Sequence, residues 1–358
     1  MDFKNADILV VGGAGFVGSN LVQQLLQHEL ATLTIVDNLI SSEASNLPHD
    51  PRVTFIYGSI ADDQILAKLP RHLDYVFHLA CYHGNQSSIA DPFADHANNT
   101  LTSLKLFDHL SRYSGLKKVV YAAAACAVAE KTYDTPTATT EEQPVSLYHD
   151  SPYSISKIIG ELYGNYYFAR YQLPFVKARF ANVYGPREIL GAGRWRGTVH
   201  TVWRNVTPTF IWRALNHEAL PLDNGGNASR DFIFVEDMAR GLMACALKGD
   251  VGEVYNLATG RETTILELAT IINRLTENPT APDIKPARDW DRSGKRFAAT
   301  EKAERVLGFK AQVSIEEGLK RTVEWTKANR ERIAHCIAQH EVMLQQEVRR
   351  TQATSKAA

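Results

Sequence analysis

The stretch that most constrains this chain is Ala6 to Asn20, ADILVVGGAGFVGSN, where an apolar run ends in three glycines and then continues apolar. Gly12, Gly15 and Gly18 are spaced so that one makes a tight turn, one lets the backbone approach a pyrophosphate, and one lets a helix pack closely on its strand. The helix expected from Phe16 to about His28 aims its free N–H groups and positive dipole end at that phosphate. A second apolar run, Leu33 to Val36, ends in Asp37 about 20 residues on, where an acid binds adenosine ribose hydroxyls. A carboxylate there repels a 2′-phosphate, so the pattern predicts NAD rather than NADP, with Phe16, Val17 and Asn38 completing the rim of the site.

Strand-like runs continue at Val53 to Ser59, Tyr75 to Ala80 and Lys118 to Ala125, separated by helical patterns at Asp63 to Leu69 and Asn99 to Leu110. Such alternation predicts an α/β fold with a doubly wound parallel sheet of the Rossmann type, whose ligands sit at the carboxyl ends of the strands. Residues 1–182, rejoined by 231–260, are expected to form the NAD-binding domain. Residues 183–230 and 261–328 are expected to form a smaller α/β domain for substrate, and 329–358 a charged helical tail that supports an oligomer or is simply solvated.

Other classes are disfavoured by composition. A formal net charge of −1 over 358 residues gives no reason to expect nucleic acid or an anionic membrane as partner. No apolar run approaches the roughly 18 residues of a membrane span, and no leader-like segment precedes the first strand, so a cytoplasmic protein is expected. Cys81, Cys126, Cys245 and Cys336 lie far apart without metal-like spacing, which suggests reduced thiols and no metal site.

Residues just after strands are the candidate site. Ser59 and Ile60, Leu79, Ala80 and Cys81, and the segment from Ala122 to Glu130 can each line a cofactor or simply pack a strand end. His83, beside Gly84, reads as a loop histidine that meets substrate without a catalytic role. A sharper signal is Asp150-Ser151-Pro152-Tyr153-Ser154-Ile155-Ser156-Lys157, with Ser151 as N-cap and Pro152 in the first turn of a helix running to about Tyr171. Tyr153 and Lys157, four apart, share a helical face. An ammonium near a phenol stabilises the phenolate, and such a tyrosine can take an alcohol proton while the carbon gives hydride to a nicotinamide.

At this point the chain resembles an extended short-chain dehydrogenase/reductase of the NAD-dependent nucleotide-sugar epimerase and dehydratase group, over roughly residues 5–328. The motifs that carry the resemblance are VVGGAGFVGSN, VFHLA at Val76 to Ala80, Asn99 opening a helix, YSISK at Tyr153 to Lys157, RFANVYGP at Arg179 to Pro186, and RDFIFVEDMARG at Arg230 to Gly241. The resemblance implies that Tyr153 and Lys157 are the catalytic pair and that Asn99 and Phe180 lie at the cofactor. It also implies that Asn182 holds the sugar nucleotide and that Arg230 meets its diphosphate, a role suited to the guanidinium fork. Arg292 sits where relatives place a second phosphate arginine, and Asn205 to Ile211 begins a helix over the sugar nucleotide, in which Phe210 either flanks the base or packs in the core. A homodimer built on the helices containing Asn99 and Tyr153 is the group's expectation.

Departures from the group narrow the chemistry. Relatives carry a Ser or Thr hydroxyl after the fifth strand, whereas Ala122, Ala123, Ala124, Ala125, Cys126, Ala127 and Val128 offer none. The acids that dehydration and decarboxylation need are also missing, and Ser59 stands where relatives place an adenine-binding Asp. Cys126 has two readings, a buried thiol that fills space or a proton-exchanging base. In the second it resembles GDP-mannose 3,5-epimerases, where a basic residue aligned with Arg196 works with the cysteine. For Arg194 and Arg196, binding of phosphate or sugar hydroxyls is the favoured reading, since arginine is a poor proton donor. The leading expectation is C4 inversion of a nucleotide-diphosphate hexose through a transient 4-keto sugar, with C3 or C5 inversion through Cys126, a dehydratase or oxidoreductase, and a non-catalytic NAD-binding regulator as alternatives.

Overall fold

The computed structural model describes residues 2–125, 128, 132–287 and 294–357; Cys126 and Arg292 lie outside the described residues. Seven parallel strands form the central sheet: β1 (Asp7–Val11), β2 (Thr32–Asp37), β3 (Val53–Tyr57), β4 (Tyr75–His78), β5 (Lys118–Ala124), β6 (Phe175–Phe180) and β7 (Val254–Leu257). Their spatial order is β7-β6-β5-β4-β1-β2-β3. The chain therefore winds outward in both directions from β1, and a crevice opens where the order reverses, between β1 and β4. Val11 pairs with both Val36 and His78, which brings the carboxyl ends of β1, β2 and β4 level. Ile8, Leu9 and Val10 are fully buried, as expected of a strand covered on both faces.

One face is covered by α1 (Phe16–Leu25) and α5 (Val235–Lys248), which join Leu21, Val22 and Leu25 to Met238, Leu242 and Cys245 in one core. The other face is covered by α2 (Leu101–Leu110) and α3 (Pro152–Tyr171), through Leu106, Phe107, Tyr121, Tyr167 and Phe175. A Cβ at Gly160 would sit 2.0 Å from the Tyr121 hydroxyl, and one at Gly164 would sit 2.0 Å from the Phe175 ring. Those two glycines, four apart, let α3 lie directly on β5 and β6, which fixes where Tyr153 and Lys157 point. The helix expected from Asn99 begins earlier, in a wide turn of π geometry over His96–Thr100.

A further core holds α4 (Val206–Leu215), α6 (Ile265–Thr276) and α7 (Ile315–Ala328) around Phe210, Ile211, Leu222, Phe232, Leu268 and Leu319. Two short parallel pairs, Asn182–Tyr184 with Phe232–Phe234 and Pro221–Asp223 with Asp283–Lys285, connect it to the sheet side of the molecule. The tail forms α8 (Arg330–Ala338) and α9 (Glu341–Ala357). Far from being wholly solvated, α8 buries Ile333 and Cys336 against Ile189, Leu190 and Ala192. Among the described residues no helix is long and apolar enough to cross a membrane.

Candidate active site

A cavity of about 680 Å³ opens at the carboxyl ends of β1, β2, β4 and β5 and runs to α4 and Arg230. Its first part is a cradle that only glycine permits. A Cβ at Gly12 would lie 2.5 Å from the Ala80 amide nitrogen, and one at Gly18 would lie 2.1 Å from the Gly12 carbonyl oxygen. Gly15 is the N-cap of α1 and lines the same space. Asp37 faces this cradle with its carboxylate accepting from the Ala14 amide at 3.0 Å, the Leu39 amide at 2.9 Å and the Ser42 hydroxyl at 3.0 Å. Burial raises its pKa, against the lowering effect of those hydrogen bonds. Phe16, Val17, Asn38, Ser59, Ile60, Leu79, Ala80, Cys81 and Phe180 line the same cavity. A glycine turn at a helix N-terminus with an acid on the neighbouring strand fits the pyrophosphate and ribose of NAD.

Asn99 is placed differently from the expectation. Its Oδ1 accepts from the Tyr82 amide at 2.7 Å and its Nδ2 donates to Asp95 at 2.7 Å, so the side chain anchors the loop after β4 from behind. Asn98 and Thr102, its neighbours, line the cavity instead.

The start of α3 supplies the next part. Ser151 caps it through a bond from the Ser154 amide, and the Tyr153 amide donates to the Ser88 hydroxyl at 3.2 Å. Lys157, 3% exposed, donates to the Ala122 carbonyl at 2.9 Å, and its ammonium lies 5.8 Å from the centre of the Tyr153 ring. Both side chains line the cavity, as do Ala122, Ala123 and Ala124, which bring methyl groups and no hydroxyl. The ring of His83 meets that of Tyr153 edge to face, 5.7 Å between centres.

Behind Tyr153 lies a polar chain that the sequence reading did not find. His83 Nε2 pairs with Asn205 Oδ1 at 3.0 Å, and Asn205 Nδ2 donates to Glu188 in a short contact. Burial lowers the His83 pKa to about 4 and raises that of Glu188 to about 7. Arg204 lies beside Glu188 and donates to the Ile189 carbonyl at 3.2 Å. Glu188 could have been suspected, since it follows the strand Asn182–Tyr184; Asn205 is the N-cap of the helix expected to begin there, and Arg204 carries no periodic signal.

The predicted arginines divide. Arg230 lines the far part of the cavity with Asn182, and its guanidinium donates to the Ser229 and Gly294 carbonyls, both at 2.6 Å. Arg296, unnoticed in the sequence, lines the same part, as do Phe210 and Arg213. Phe210 also belongs to the core, so both of its readings meet in one side chain. Arg196 is buried outside the lining, with Nη1 on the His83 carbonyl at 2.9 Å and its guanidinium over Tyr82. Arg194 is exposed and bonds the Tyr57 hydroxyl at 2.8 Å, also outside the lining. Gly84 and His83 do line it. Among the described residues the only His/Cys/Asp/Glu grouping with metal-like proximity is Asp7, His72 and Asp74, at the opposite ends of β1 and β4 from the cavity.

Comparison with known proteins places this geometry. The model of the NAD dependent epimerase/dehydratase family matches residues 8–258, and the chain belongs to that family. It is 31% identical to a UDP-glucose 4-epimerase of Mycolicibacterium smegmatis over 88% of this chain and 97% of that one. The Bordetella bronchiseptica enzyme WbmF, crystallised in complex with NAD+ and UDP, is 57% identical, with a TM-score of 0.88 over 96% of this chain and 99% of its own. The UDP-glucose 4-epimerase of Thermotoga maritima, crystallised with UDP-glucose, is 32% identical, with a TM-score of 0.80 over 90% of this chain and 99% of that one.

Proposed function

We propose that this protein is an NAD-dependent epimerase of a UDP-sugar, inverting C4 through a transient 4-keto sugar. The observation that carries this reading is a single cavity in which Tyr153 and Lys157 stand between a glycine cradle with Asp37 and a cationic end with Arg230. NAD held by the cradle supplies a reversible hydride acceptor. Tyr153 takes the C4 hydroxyl proton and later returns one, and Lys157 stabilises the phenolate while its own position is fixed by the Ala122 carbonyl. Arg230 and Asn182 hold the nucleotide while the keto-sugar turns to present its other face. The choice of UDP is supported by the likeness to relatives crystallised with UDP or UDP-glucose. A homodimer through α2 and α3 is supported by exposed Leu101, Ile155, Leu162 and Tyr166 on those helices.

The experiment is to incubate the NAD-loaded protein with UDP-hexoses in D₂O and follow the products by NMR. C4 inversion without solvent deuterium, abolished in Tyr153→Phe, is expected. Turnover retained in that variant refutes the scheme, and deuterium at C3 or C5 reassigns the reaction to the enolising route.

A further inference from the structure

The group's hydroxyl at the end of β5 is replaced here by alanine methyls, yet a polar side chain stands beside Tyr153. We propose that Glu188 and Asn205 fix the His83 imidazole with its proton on Nε2, so that Nδ1 is the acceptor for the sugar hydroxyl next to Tyr153. This inference rests on the epimerase reading of the same cavity.

Hydrogen-bond bookkeeping sets the direction. The Asn205 amide stands with Nδ2 toward Glu188, and the Arg204 charge beside that carboxyl opposes the effect of burial and favours its ionised, accepting form. The amide Oδ1 then faces His83 and can only accept, which requires the proton on Nε2 at 3.0 Å. Burial keeps the ring neutral, leaving the lone pair on Nδ1. No group among the described residues bonds Nδ1, and the atom is not sealed in the interior but accessible in the wall of the cavity that His83 lines. The edge-to-face contact with Tyr153 places the ring against the phenol that takes the proton. Arg196 and Arg204 hold this arrangement from outside, the first on the His83 carbonyl and the second beside Glu188. In this role His83 touches substrate and exchanges no proton, while Asn205 and Glu188 are positioning residues.

Two measurements test the proposal. In the NAD-loaded protein labelled with ¹⁵N-histidine, and with His83 assigned by its loss in His83→Asn, Nε2 is expected protonated and Nδ1 bare, and Asn205→Leu is expected to mix the tautomers. A proton on Nδ1 in the wild type, or an unchanged signature in Asn205→Leu, overturns the proposal whether or not any sugar turns over. On a UDP-hexose that the wild type epimerises, kcat is expected to fall about 100-fold in His83→Ala, the worth of one preorganised hydrogen-bonding group, with KM little changed. His83→Asn, which keeps an acceptor near the Nδ1 position, and His83→Ala combined with Ala124→Ser are each expected to recover about tenfold. Equal losses in all three variants overturn it. Failure of the epimerase reading shows separately, as activity that survives Tyr153→Phe.

Discussion

The ammonium of Lys157 is held by the carbonyl of Ala122, 2.9 Å away, so the strand end that lacks a hydroxyl still positions the lysine proposed to tune Tyr153 through its backbone. Side-chain variation along Ala122 to Ala124 leaves that carbonyl in place. Lys157→Met is therefore expected to reduce kcat by about 10²- to 10⁴-fold, the usual worth of a tuned proton-transfer group. Stopped-flow measurement of the single-turnover rate checks this, and the loss should persist when NAD is saturating.

The glycine cradle makes a sharper demand than its motif suggests. Because a Cβ at Gly18 would lie 2.1 Å from the Gly12 carbonyl, Gly18→Ala must push α1 away from the turn. A cost of about 1–3 kcal/mol is expected from such overpacking. The variant should purify with little NAD and show a melting temperature that NAD no longer raises, as read by calorimetry with and without cofactor.

Arg179, within the RFANVYGP motif, proves structural. Its Nε and Nη2 each reach Glu161 at 2.9 Å and its Nη1 reaches the Glu141 carbonyl at 3.0 Å, all in the interior. Removing one partner strands the other charge, so Arg179→Met should cost about 3–5 kcal/mol in urea unfolding. The double variant Arg179→Met, Glu161→Leu should recover part of that cost, since neither member of the pair is left stranded, although buried Lys177 loses the nearby Glu161 charge.

His78 gives the fold an acid limit. It is buried with Nε2 on Ser103 at 3.0 Å, and burial, aided by the Lys157 charge, lowers its pKa to about 3 from 6.5. Between those values the unfolded chain binds a proton that the folded chain does not. Stability is thus complete above pH 6.5 and falls as pH drops toward 3, by up to about 1.4 kcal/mol per pH unit. His78→Asn should flatten the slope of unfolding free energy against pH in that window by about one proton; an unaltered slope would place the acid sensitivity elsewhere.

The parts of this design visible in the sequence share one property, a fixed spacing along the chain. Gly12, Gly15 and Gly18, Asp37, and the Tyr153–Lys157 pair each sit at a set distance from a strand or on one helical turn, so the pattern of residues implies the geometry. Glu188, Arg204 and Arg296 reach the cavity from irregular segments, and no period in the chain announces them. Asn99 opens the expected region, but the direction of its side chain depends on the Tyr82 loop it anchors. The tail reads as charged, supporting an oligomer or simply solvated, because the apolar side chains that carry α8 onto the protein, Ile333, Cys336 and Ile337, are few and set among charged residues.

That contact predicts a role for the tail in cofactor retention. Gln339 Nε2 donates to the Gly191 carbonyl at 2.7 Å, and His340 Nε2 pairs with the same oxygen at 2.8 Å. The loop they hold then grips the segment after β2: the Gly193 amide donates to Glu43 at 2.9 Å, and the Arg194 amide donates to the Ile40 carbonyl at 3.1 Å. Ser42, in that segment, donates to the Asp37 carboxylate at 3.0 Å. A continuous set of contacts thus runs from the tail to Asp37 in the glycine cradle. Replacing both Gln339 and His340 with alanine removes hydrogen bonds worth about 1 kcal/mol each, so NAD release should quicken by up to about 30-fold. The same variant should be cut faster by protease between Arg187 and Arg204. If displacement of bound NAD by a fluorescent analogue proceeds at the wild-type rate, the tail braces its loop without influence on the cofactor.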